Sequence, residues 1–334
     1  MHVTFFQRKP QEANYSIERL FDDVLKSFSS GVQCRVAISR FPSRGLFRRL
    51  YNIIEAVFRQ GDVNHITGDV HFLTYLLRKG KTILTIHDLV SVERLTGFRK
   101  ALFLFLWYRL PMRRVVVVTV ISESTKKELL NYIKYEPQKI KVVYDCISDD
   151  FRPASRDFNV NKPIILQIGT EKNKNLARVA TAIREMPCHL RIVGKLYHDQ
   201  ASHLREANIE YSSVYNISDE EILKEYQDCD MLVFASTYEG FGLPILEAQA
   251  TGRPVVTSNI LSMPEVAGYG ACLVNPYDVI AIRQGLLKVI NDTFYRNALV
   301  RNGFENVKRF RPKKIAAQYL ELYEQIIKGS NYFL

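Results

Sequence analysis

The chain has 334 residues and no apolar run that could cross a bilayer. Its longest runs, Ala101–Tyr108 and Val115–Ile121, fall far short of the ~20 residues a spanning helix needs. An amino-terminal leader pattern is also missing, since Met1–Phe6 already reads as a strand. The five cysteines (34, 146, 188, 229 and 272) are scattered without a Cys-x-x-Cys pair, so a zinc ribbon or a disulfide framework is not expected. No fixed-period repeat or low-complexity tract appears, which excludes solenoids and disordered linkers as the main architecture. What remains has 47% apolar and 24% charged residues, the composition of a globular cytoplasmic protein, and the length suits two domains.

Charge is present in excess and unevenly. The net value is +11; residues 1–150 hold 24 Lys and Arg against 15 Asp and Glu, and the remainder 22 against 20. The excess gathers in two aromatic-rich segments, 44–59 (with Arg44, Arg48 and Arg49) and 94–114. A basic amphipathic helix suits an anionic membrane surface, and its bland alternative is a core helix with a solvated arginine face. A pI near 9.3 permits polyanion binding, but no nucleic-acid module motif supports a specific nucleic-acid partner.

Apolar runs bounded by turn residues alternate with amphipathic segments along the whole chain, the pattern of parallel sheets covered by helices. Strands are expected at Val3–Phe6, Gln33–Ile38, Val63–Thr67, Thr82–His87, Val115–Ile121 and Ile140–Val143. After a polar, turn-rich linker at Ser148–Lys162 they resume at Ile164–Ile168, Leu190–Val193, Ile209–Val214, Met231–Ala235 and Pro254–Thr257. Capping boxes are expected at Thr125 with Glu128 and at Ser218 with Glu221. Lys313–Ile327 reads as a last helix.

The most informative stretch is Ser236-Thr-Tyr-Glu-Gly-Phe-Gly-Leu-Pro-Ile-Leu-Glu247. The buried-strand run Met231–Ala235 leads into it, Pro244 suits a first helical position, and Gly252 suits the stop. A turn at the carboxyl end of a parallel strand is where α/β sheets bind ligands. Gly240 and Gly242 let main chain approach closely, and the N–H groups of Phe241, Gly242 and Leu243 with the helix dipole favour a phosphate. Glu239 and Glu247 repel phosphate and suit sugar hydroxyls. Phosphate between polyols describes a nucleotide-sugar; a tight turn with two solvated acids is the alternative.

This segment resembles the glutamate, seven residues, glutamate motif of the retaining family-4 glycosyltransferases of GT-B fold. Its flanks, Asp230-Met-Leu-Val-Phe-Ala-Ser and Ala248-Gln-Ala-Thr-Gly-Arg-Pro-Val-Val-Thr-Ser, are similar as well. The resemblance implies two Rossmann-like α/β domains facing across a cleft, an acceptor-side one in 1–150 and a nucleotide-sugar one in 160–312, with the segment 313–334 returning to the first. It implies that Glu247 holds the ribose and Glu239 lies against the transferred sugar. Gly169, in a strand–glycine–helix segment, resembles the family's diphosphate loop, and Lys174 falls at its lysine. Thr170 stands where many relatives have arginine, leaving Lys174 with the Thr170 hydroxyl to meet the diphosphate. His87, at a strand end, matches a histidine that touches the donor sugar, and Asp88 is expected to orient it or cap the next turn. Glu265 matches a glutamate near the nucleotide, or is a first-turn acid. The turn at Asn14–Glu18 lacks the family's glycines and is left out of the site.

The expected activity is retaining transfer of a hexose, mannose-type favoured, from a GDP- or UDP-linked donor to a hydroxyl of a growing, lipid-linked glycan in surface polysaccharide synthesis. No cofactor or metal is expected, and a peripheral location on the inner membrane face is. The rivals are a GT-B nucleotide-sugar epimerase and a non-catalytic polyanion binder.

Overall fold

The structure, a computed structural model, describes residues 1–10, 16–28 and 31–329. Asn14 and Tyr15 of the first expected turn lie outside these, as does the end of the 313–334 segment. The chain divides into two units, Met1–Cys146 with Pro312–Leu334, and Ile147–Arg311.

Unit 1 is built on six parallel strands, β1 (His2–Gln7), β2 (Gln33–Ile38), β3 (Val63–Ile66), β4 (Thr82–Ile86), β5 (Val117–Val120) and β6 (Ile140–Val142), in the order β2-β1-β3-β4-β5-β6. The central strands β3, β4 and β5 are buried at every position, as parallel strands covered on both faces must be. One face carries the core of Phe6, Ile53, Leu73, Leu84, Val118 and Leu129 among others. On it packs the helix Leu46–Val57, through Ile53 and Ala56.

The last helix, Pro312–Ile327, belongs to this unit. Its Tyr319 and Tyr323 are fully buried and stack on each other with centroids 6.1 Å apart. Tyr319 lies against His65 (4.9 Å) and Phe21 (5.9 Å). Burying two such rings contributes several kcal/mol at about 25 cal/mol per Å².

Unit 2 has a second parallel sheet, β7 (Ile164–Ile168), β8 (His189–Val193), β9 (Tyr211–Val214), β10 (Met231–Phe234), β11 (Val255–Ser258) and β12 (Ala271–Val274), ordered β12-β11-β10-β7-β8-β9. Counted within the unit this is the 3-2-1-4-5-6 order of a doubly wound dinucleotide fold. Both units are therefore parallel α/β sheets, as the alternating signals predicted.

Local details depart from expectation. The helix Glu123–Tyr132 is capped by Ser122, whose Oγ accepts from the Thr125 amide at 3.0 Å, so the cap lies one turn before the expected Thr125. The Ser218–Glu221 box forms in both directions, at 3.2 and 2.7 Å. Ser148–Lys162 is not a free linker. Phe151 is buried edge-on against Tyr226, and Arg156 pairs with Asp230 at 3.0 Å, so the segment is folded onto unit 2.

Candidate functional site

In unit 2, β7 and β10 lie side by side, with Ile165 opposite Met231 and Leu166 opposite Leu232. The chain leaves β7 toward β8 on one side and leaves β10 toward β11 on the other. Their connections therefore run to opposite sides of the sheet, which makes β7/β10 the switch point, the place where doubly wound sheets bind ligands.

Side-chain amides fix the two loops to each other. Asn173 Nδ2 donates to the Tyr238 carbonyl at 2.9 Å, and the Thr237 amide donates to the Asn173 carbonyl at 2.8 Å. Asn175 Nδ2 lies within reach of the Ala235 and Pro276 carbonyls, at 2.9 and 2.7 Å. Each such bond contributes about 1 kcal/mol net.

Across this seam Lys174 Nζ stands 2.7 Å from Glu239 Oε1, with both side chains largely buried. Gly169 makes the pairing possible. It has φ +85°, and a Cβ there would fall 2.8 Å from Lys174 Cγ. The lysine chain thus folds back over a residue that has no side chain, and its ammonium lies 4.9 Å from the centre of the Phe234 ring. A solvated surface lysine is excluded.

Gly242, at φ +110°, begins the helix Leu243–Ala250, which has no side-chain cap. Pro244 is its second residue, not its first, and still lacks only an amide the helix does not use. Ser262 Oγ reaches the carbonyls of Glu239 (2.9 Å) and Phe241 (2.8 Å), bracing the turn, and Phe241 packs edge-on against Phe310. Glu265 is half-buried in the first turn of the helix Met263–Ala267, which Ser262 starts.

Glu247, one turn further into the Leu243–Ala250 helix, accepts a hydrogen bond at Oε2 from the Tyr226 hydroxyl, at 2.6 Å. Tyr226 is fully buried. Burial, then the charge of Glu247, holds its phenol well above the ordinary value, so the proton stays on Tyr226 and points at the carboxylate. Sequence reading missed this residue, because a tyrosine on an amphipathic helix looks like any core aromatic.

Two expectations need correction. The Thr170 hydroxyl donates to the Lys195 carbonyl at 2.6 Å, so its proton is held between two loops, although the residue borders a cavity of about 820 Å³ with Lys172, Arg178 and Tyr197 among others. Asp228-Cys-Asp230 has an Asp-x-Asp spacing that the metal-free reading passed over. Asp230 is buried, pairs with Arg156, and accepts the Ile164 and Asn159 amides at 2.7 and 3.1 Å. That is a structural carboxylate.

Unit 1 carries His87 at the end of β4, buried, with Nε2–H donating to the Thr67 carbonyl at 2.9 Å. The carboxylate beside it is not Asp88, whose Oδ1 accepts the Val90 amide at 3.0 Å and so caps the turn. It is Asp145, with Oδ1 3.9 Å from His87 Nδ1. Burial pushes the Asp145 carboxyl up to about 6, and the neighbouring imidazole pulls the other way. His65, between Tyr323 Oη (2.6 Å) and Thr85 Oγ1 (2.7 Å), is driven down to about 3 by burial and is a neutral core histidine. The β1/β3 switch point of this sheet opens on a cavity of about 410 Å³, bordered by Arg8, Lys9, Asp69, Asp88, Arg49 and Trp107 among others.

The comparisons with known proteins agree with these two halves. The family described as Glycosyltransferase Family 4 matches residues 2–151, and that described as Glycosyl transferases group 1 matches residues 148–306. O-antigen chain mannosyltransferase B of Escherichia coli is 28% identical over 233 residues, 62% of this chain and 60% of that protein. The serotype-specific mannosyltransferase WbdA of Escherichia coli is 23% identical over 277 residues, 75% of this chain, and the chain spans only 34% of that longer protein. Anabaena HepE, solved with UDP-glucose, has the same fold at a TM-score of 0.78 and 16% identity, covering 97% of this chain and all of that one. No helix among the described residues is long and apolar enough to cross a membrane. With a family-4 first half, a group-1 second half and a second sheet whose loops part at a switch point, the chain belongs to the GT-B glycosyltransferases.

Proposed function

We propose that the chain transfers a hexosyl group, with mannosyl favoured, from a nucleotide-sugar to a hydroxyl of a growing glycan, with retention at the anomeric carbon. The observation that carries this reading is the Lys174–Glu239 pair at the switch point, beside an uncapped helix start. The helix N–H groups at Phe241, Gly242 and Leu243 and the Lys174 ammonium receive the diphosphate. Glu247, held by Tyr226, takes the ribose hydroxyls, and Glu239 takes hydroxyls of the moving sugar. Glu265 stands toward the nucleotide. The acceptor oxygen forms its bond to the anomeric carbon on the face from which the diphosphate oxygen leaves. That oxygen takes the hydroxyl proton. The protein's part is to stabilise charge growing on the diphosphate, which is the largest lever available to a site without a nucleophile.

The mannosyltransferase relatives support mannose, and the UDP-glucose in HepE supports a nucleotide-sugar in this fold. A GDP- or UDP-linked donor needs no cofactor in this scheme. The acceptor class that fits is a lipid-linked saccharide on the inner, anionic face of a membrane, in surface polysaccharide assembly.

Thermal shift with GDP-mannose and UDP-glucose tests the donor. The true donor at a hundred times its Kd stabilises the fold by about 2.7 kcal/mol. Glu247→Ala should remove that shift. Glu239→Gln should keep most of it while losing transfer. If neither nucleotide-sugar, nor any other offered, moves the melting temperature, the donor reading fails.

A further inference from the structure

We propose that unit 1 docks on an anionic bilayer through two apolar helix faces that frame its cavity. The proposal rests on the membrane-borne acceptor of the transfer reaction and says which surface meets the lipid.

The helix Leu46–Val57 has its solvated face the wrong way round for an ordinary surface helix. Ile53 and Ala56 face the core, and beside the exposed Arg48 a broad apolar surface faces water. It is Leu46, Phe47, Leu50, Tyr51, Ile54 and, just past the last turn, Phe58, which helical spacing lines up as one stripe. Phe47 is 85% exposed and Phe58 83%. A second stripe runs along Gly97–Leu104 and the π-helical turn after it, with Phe98 (80% exposed), Leu102, Phe105 and Leu106.

These two helices touch. The Arg49 guanidinium lies 4.7 Å from the centre of the Trp107 ring, and the cavity wall is shared between Arg44 and Arg49 on one side and Phe103 and Trp107 on the other. Exposed large apolar side chains at this density mark an interaction surface.

Charge selects the occupant. Arg48, Arg99 and Arg109 are exposed on these elements and Arg44 and Arg94 next to them, against one exposed acid at Glu93, while Glu55 is tied to Arg59 at 2.6 Å. A second copy meeting this face through a two-fold axis would set arginine against arginine. An anionic headgroup layer pairs with the arginines and receives the phenylalanines and leucines at its acyl boundary. Neither helix is long enough to cross, so both lie in the plane of the surface. The cavity then opens at the level of the lipid headgroups.

Co-sedimentation of the full chain with vesicles of phosphatidylcholine, alone or doped with phosphatidylglycerol, tests this. The protein should bind the doped vesicles, less so in high salt, and leave the neutral ones. Phe47→Ser with Phe58→Ser should lower binding by about tenfold or more, as should Phe98→Ser with Phe105→Ser on the other helix. Arg48→Gln with Arg99→Gln should lower it about fivefold per charge. The nucleotide-sugar melting shift of these variants should equal that of the parent chain. Equal binding of parent and both serine pairs, or no binding to doped vesicles, overturns the proposal. So does a dimer in sedimentation velocity that dissolves in the Phe47→Ser, Phe58→Ser variant while lipid binding is absent. A missing donor shift with vesicle binding intact would instead overturn the donor reading alone.

Discussion

Asp145 Oδ1 faces His87 Nδ1 at 3.9 Å, on the opposite edge of a ring whose Nε2–H is already given to Thr67. The carboxyl is buried and raised to about 6, against an unfolded value near 3.9. A carboxyl raised in the folded state stabilises fully below its unfolded value, and that contribution is lost as pH climbs through about 6. Asp145→Asn should therefore melt like the parent near pH 4 and be more stable at pH 7.5, by roughly 2–3 kcal/mol. Urea melts at the two pH values measure it. Equal differences at both would show that Asp145 does not titrate in this way.

Tyr226→Phe removes one hydroxyl and leaves the ring that Phe151 packs against. The loss of a charge-assisted bond to Glu247 costs about 1.5–3 kcal/mol where the carboxylate is engaged. The expectation is a nucleotide-sugar Kd weakened about tenfold or more, read by calorimetry, with a small change in melting temperature. An unaltered Kd would detach Tyr226 from the ribose.

Lys174→Met keeps the length of the chain over Gly169 and deletes its charge. Glu239 would then stand without its cation. Transfer should fall by roughly two to three orders of magnitude, in line with losing one preorganised charge partner of a leaving group. Donor affinity should fall less. Steady-state kinetics that show the reverse split would place Lys174 in binding alone.

Gly169→Ala tests the geometry instead of the charge. A methyl at φ +85° meets Lys174 Cγ at 2.8 Å, so either the lysine or the loop must shift. Stability should drop by about 1–3 kcal/mol, and transfer should fall with Lys174 displaced from Glu239. Parent-like melting and turnover would mean that the loop is not held by this contact.

Much of the fold was legible in order and kind. Alternating strand and helix signals, the Gly242 turn and the Ser218 cap all come from short-range rules. What was not legible lies between segments distant in sequence. The lysine at 174 and the glutamate at 239 each made sense alone; that they pair depends on β7 and β10 being neighbours, which is a property of strand order. Asp145 and Tyr226 are single polar residues in apolar surroundings, and no local pattern separates them from core. Ser122 took the cap from Thr125 because the helix already begins at Glu123, the residue after it. The helix at 46–57 was legible only as two alternatives, a membrane-facing stripe or a core helix with a solvated arginine face. An apolar stripe predicts burial, and only the assembled unit shows that Ile53 and Ala56 are buried while Phe47 is not.

The π-helical turn Phe105–Arg109, inside the helical run from Gly97 to Arg113, works as a phase correction. A π turn takes up one more residue than an α turn, so the residues beyond it are rotated by about 100° relative to an unbroken helix. Trp107 and Tyr108 can then line the cavity while Phe105 and Leu106 remain outside, and buried Pro111 and Met112 continue inward. For the register of this helix the number of residues in the turn matters more than their identity. Exposed positions there should accept many substitutions, whereas a one-residue deletion would turn the cavity wall and the outer stripe out of step.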